Sequence, residues 1–126
     1  MAFIETTSST VLDNVIYSTT IIIDPIYTAV GTTVYKKGMN GISSSTILNS
    51  TYSSTISGVY YYDIVKTGAM SAPGDSGGIV FSPPDSYNHA NAIGIVLGGA
   101  VTESYYTKMG FDLAALQSGP ITFTLY

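Results

Sequence analysis

Cysteine is absent from this chain, which excludes disulfides and thiolate metal sites. Arginine is absent too, and the only lysines are Lys36, Lys37, Lys66 and Lys108. A phosphate-binding surface needs clustered cations, so nucleic acid is excluded as a partner, and polybasic attraction to anionic lipid fails for the same reason. Charged residues make up only 10 % of the chain and the formal charge is −4. Long apolar runs are missing as well: a run such as Ile21-Ile22-Ile23 is far too short to span a bilayer. Met1-Ala2-Phe3-Ile4-Glu5 has neither a basic nor a continuous apolar region, so no signal peptide is visible and the compartment stays open. With one histidine, and with Asp75 and Asp85 lacking ligand companions at useful spacing, no metal and no cofactor are expected.

What is abundant points to β structure. Hydrophobic residues reach 45 %, tyrosine occurs 11 times, and Ser and Thr form roughly a quarter of the chain. Thr, Tyr, Val and Ile suit half-buried pleated surfaces. Strands are expected at Val15–Ile23 (ending at Asp24-Pro25), Ala29–Lys36, Ile42–Leu48, Val59–Val65, Ile79–Phe81, Ala92–Leu97, Tyr105–Met109 and Ile121–Leu125. Residues 3–12 read as an arm or edge strand, Ser50–Ser57 is ambiguous, and 82–91 reads as a polar hairpin loop. Only Asp112–Gln117 reads as a helix, capped by Asp112 and ended by Ser118-Gly119-Pro120. Six or seven short, regularly spaced strands predict an all-β barrel or sandwich. Asn49-Ser50-Thr51 matches a glycosylation acceptor, although a polar turn alone accounts for it.

The chemistry-bearing motif is Gly74-Asp75-Ser76-Gly77-Gly78. A nucleophile elbow would need a helix after the serine, and Ile79-Val80-Phe81-Ser82-Pro83-Pro84 cannot start one. Acyl transfer otherwise needs an exposed hydroxyl beside backbone N–H donors, which a glycine-rich loop supplies. The motif and its flanks resemble chymotrypsin-like serine proteases. Gly31–Ser43 resembles the strand, glycine turn and strand that open the second barrel. Ala92–Gly99 resembles the strand after the nucleophile loop, and residues 112–125 the closing helix and strand.

This resemblance implies a single six- to seven-stranded antiparallel barrel over residues 28–126, one half of such a protease, with a short C-terminal helix and an N-terminal arm and first strand at 1–27. It implies Ser76 as nucleophile, the N–H groups of Gly74 and Ser76 as oxyanion hole, and Asp75 as the buried aspartate fixing the loop. It places Met70 at the floor and Gly98 and Gly99 at the wall of an apolar substrate pocket. The pattern departs at two points. Upstream of residue 28 there is no histidine, and His89 lies in a polar loop expected to face away. Leu97 stands where the family has a serine bonded to its triad aspartate.

Three functions follow from this reading. The chain is an incomplete protease domain, inactive alone and used in self-assembly as a homodimer or higher homo-oligomer. Alternatively, it is a half-enzyme completed by a partner chain that supplies His and Asp, or a module that binds extended peptide near Gly98-Gly99. The low charge and Ser/Thr/Tyr-rich composition are similar to extracellular or virion proteins.

Overall fold

The computed structural model describes residues 15–16, 18–23 and 29–110. Strands β1 (Val15–Ile16) and β2 (Thr19–Ile23) precede β3 (Thr33–Gly38), β4 (Gly41–Ile56) and β5 (Val59–Gly68). Then come β6 (Ile79–Phe81), β7 (His89–Gly99) and β8 (Glu103–Lys108). Antiparallel ladders run β6–β3–β4–β5–β8–β7, and β7 pairs back onto β6, so these strands close into a barrel. Closure removes the open edges that would otherwise template association. The β1–β2 hairpin lies outside the ring, with β2 parallel to the first residues of β7 (Thr20↔His89 to Ile23↔Ala92).

Alternation decides what fills the barrel. Every barrel strand sends at least one side chain inward: Val34, Ile47, Val65, Val80, Ile93 with Val96, and Tyr106, joined by Met70 from the loop after β5. Their neighbours along the strands point outward. Phe81, Ala90 and Ala92 pack with Ile21 and Met109 into a smaller cluster, flanked by Tyr35 and Ile95. The β2 strand therefore covers apolar surface outside the main core.

Several boundaries differ from those the sequence suggests. Val15–Ile23 is not one strand: the chain reverses at Ser18, whose φ is 67°. The polar stretch after Leu48 is not separate, because β4 runs on to Ile56 and leaves the barrel as a two-stranded ribbon with β5. Ser57 and Gly58 form its tip, both at positive φ (50° and 81°), as a two-residue turn matching strand twist requires. His89 is an exposed strand residue rather than a loop residue, because β2 pairs with it. The expected arm at 3–12, helix at 112–117 and strand at 121–125 lie outside the described residues. Among the described residues, no helix is long and apolar enough to cross a membrane.

Candidate functional site

The site is built on the loop between β5 and β6, and Asp75 organises it. Its carboxylate is buried, with 1 % of the residue exposed. The Lys36 ammonium donates to Oδ2 at 2.5 Å, the Ala72 N–H donates to Oδ2 at 2.9 Å, and the Asn40 N–H donates to Oδ1 at 2.8 Å. Burial by itself would raise the Asp75 pKa, but Lys36 and the N–H groups of Asn40 and Ala72 outweigh it. The group is held well below the usual carboxylate range. Backbone bonds tighten the same turn: the Asp75 N–H donates to Ala72 O, and the Gly78 N–H donates to Asp75 O. Asn40 adds a side-chain bond from Nδ2 to Pro73 O at 2.9 Å.

Lys36 reaches Asp75 because it lies two residues after Val34 on β3, and both side chains are buried. The sequence carries that signal in its alternation, yet a lysine beside Lys37 reads as a solvated pair. Two glycines make room for the carboxylate turn. A Cβ on Gly38 would stand 2.5 Å from Asp75 Oδ1, and one on Gly78 would stand 2.6 Å from Lys37 O.

Ser76 is exposed at the loop surface. Its hydroxyl donates to the Leu97 carbonyl at 2.7 Å. The Gly77 N–H donates to Val96 O and the Val96 N–H to Gly78 O, which stitches the loop to β7. The N–H groups of Gly74 and Ser76 have no acceptor among the described residues. Gly74 has φ 99°, a conformation that L side chains rarely adopt. The arrangement thus presents a hydroxyl and two unspent donors, but a carbonyl oxygen cannot take the hydroxyl proton as a base.

The remaining sequence-predicted residues spread out. Met70 turns its side chain into the barrel core, while its N–H donates to Ser104 Oγ at 2.9 Å. Ser104 Oγ also accepts from the Ser71 N–H at 2.9 Å and meets Ser71 Oγ at 2.8 Å. A Cβ on Gly99 would lie 2.6 Å from Glu103 O, 2.8 Å from Ser71 Oγ and 3.1 Å from Ser104 Oγ. Ser71 and Ser104 were missed because isolated serines in a serine-rich chain carry no signal. His89 stands at the other end of β7 from Leu97, roughly 25 Å of extended strand away. Its N–H donates to Asp85 Oδ1 at 2.9 Å and its ring lies 6.4 Å from that of Tyr87. Among the described residues no three His, Asp or Glu side chains stand close enough to hold a metal ion.

No protein-family model and no curated protein matches the chain. Solved structures do. Protease A of Thermobifida fusca superposes with a TM-score of 0.65 at 19 % identity, covering 78 % of this chain and 52 % of that one. A glutamic acid-specific serine protease, described as using a histidine triad in substrate binding, gives 0.60 at 23 % identity, covering 78 % and 50 %. Cellulomonas bogoriensis chymotrypsin gives 0.59 at 24 % identity, covering 70 % and 48 %. The chain spans about half the length of each of these proteins. What the likeness shows is the fold: an all-β barrel corresponding to one half of a chymotrypsin-like serine protease.

Proposed function

We propose that this chain is an incomplete serine protease half-barrel that does not hydrolyse peptide bonds alone and works in self-assembly. One observation carries the first part. The Ser76 hydroxyl is bonded to the Leu97 carbonyl, while the chain's single histidine stands at the far end of β7. A serine without a base is a weak nucleophile at neutral pH. Self-assembly is supported by the ribbon of β4 and β5, which exposes Val59, Tyr60 and Tyr62 beyond the barrel. A coat-like role, in a virion or outside a cell, agrees with the low charge.

A second reading rests on the unspent Gly74 and Ser76 N–H groups, which a half-enzyme would use once a partner chain brought His and Asp to Ser76. A peptide held along Gly98-Gly99 would use the same donors without chemistry.

Fluorophosphonate labelling of the purified chain, wild type against Ser76→Ala, tests these readings. Absence of labelling in folded protein supports the inactive reading. Labelling that Ser76→Ala abolishes overturns it and favours the half-enzyme. Light scattering after size exclusion tests assembly: a monomer across the micromolar range refutes that part.

A further inference from the structure

The site just described leaves one motif unused. Asn49-Ser50-Thr51 sits on β4 where the strand leaves the barrel, with register shifts on both sides of Asn49. Asn49 and Thr51 are both exposed. Asn49 Oδ1 accepts the Thr51 N–H at 2.9 Å and lies 3.4 Å from Thr51 Oγ1. The Asn49 Nδ2 group has no acceptor among the described residues. Hydrogen bonds to an amide oxygen stabilise the imidate form and so acidify the N–H protons. The turn therefore both activates Nδ2 and presents it to solvent.

The surroundings give such a modification a purpose. Residues 49–62 contain no charged side chain. Within this ribbon β3 pairs β4 only as far as Thr46, and β8 pairs β5 only from Val65 onward. Natural edges are usually blunted by charges, prolines or cover, and this segment has neither charge nor proline. Asn49 lies at the root of the open β4 edge.

We propose that Asn49 is an N-glycosylation acceptor whose glycan guards the β4 edge at the root of the ribbon against off-register strand pairing, leaving Val59, Tyr60 and Tyr62 near its tip open to self-assembly. The donor class is an oligosaccharide on a lipid diphosphate. A bond forms between Asn49 Nδ2 and the sugar C1 as the C1–O bond to the diphosphate breaks. The diphosphate leaves with the electron pair, and a base takes the Nδ2 proton. Thr51 supplies the hydroxyl that the acceptor pattern requires.

The test directs the full chain into a glycosylating secretory compartment and measures intact mass, with folding checked by circular dichroism. The wild type and Thr51→Ser gain an oligosaccharide mass that amidase treatment removes, leaving Asp at position 49. Asn49→Gln and Thr51→Ala stay at the peptide mass. A folded wild-type chain carrying no glycan, or a glycan persisting in Asn49→Gln, overturns the acceptor assignment. Amidase treatment of the folded glycoprotein raises its association by several-fold in light scattering; unchanged association overturns the guarding role.

Discussion

Replacing Lys36 by Met is the sharpest test of how the serine loop is held. Met keeps most of the volume and removes the cation, leaving the Asp75 carboxylate buried with only the N–H groups of Asn40 and Ala72. Both side chains of the pair are almost wholly buried, at 2 % and 0 % exposure. Removing one member of a buried pair costs about 3–5 kcal/mol, because the survivor is left uncompensated. A domain of this size has about 5–15 kcal/mol in total, so a substantial share is lost. At about 3–5 °C of melting temperature per kcal/mol, the drop is about 10–25 °C. Asp75→Asn does comparable harm, since it strands Lys36 and turns an amide NH2 toward one of the two N–H donors. The double variant Lys36→Met/Asp75→Asn strands no charge, so it loses less than the two single costs together, by about 2 kcal/mol or more. Thermal melts followed by circular dichroism give all three values. A Lys36→Met protein melting within about 3 °C of wild type, or single costs that add within about 0.5 kcal/mol, would refute the reasoning.

The same pair sets an acid limit. The folded-state pKa of the Asp75 carboxyl lies below its unfolded value, so the unfolded chain binds the proton first. Stability is full above about pH 4 and falls as pH drops toward the folded value, which urea melts at stepped pH would show; a flat profile below pH 4 contradicts this. Gly78→Ala forces a Cβ against the Lys37 and Asp75 carbonyls and costs about 1–3 kcal/mol. Gly77→Ala meets open space and pays only for its φ of 85°, about 1–2 kcal/mol, so denaturant midpoints should rank Gly78→Ala at or below Gly77→Ala. Ser76→Ala breaks one exposed bond to Leu97 and should shift stability by no more than about 1 kcal/mol. Tyr60→Ser/Tyr62→Ser should leave the melting temperature near wild type and weaken self-association in light scattering, whereas unchanged association would place the interface elsewhere.

The barrel was legible because its strands alternate around a core that fills only one side, as Val34, Ile47, Val65 and Ile93 do. Legibility failed where a strand has no core beneath it. Residues 50–57 read as ambiguous because the ribbon meets solvent on most sides, so no apolar stripe marks its period. The turn at Ser18 was hidden inside a run of β-branched residues, and His89 became a strand residue only through a distant partner. In the site, the glycine-rich loop announced itself. The cation that anchors it did not, because a buried lysine is recognisable only when its register on β3 is known. Ser71 and Ser104 meet through separate segments, which no local pattern records.

Strand β7 holds the barrel shut against both β6 and β8, and it also takes β2 along its first residues. The β3–β4–β5 meander needs only neighbouring segments and can organise early. The β2–β7 ladder joins residues about 70 positions apart, so its loop-closure entropy is met last. Residues 20–23 should accordingly exchange their amide hydrogens sooner than those of β3 or β5, and the hairpin should peel away while the ring and its serine loop persist. The barrel and its outer hairpin then constitute two cooperative units in one short chain.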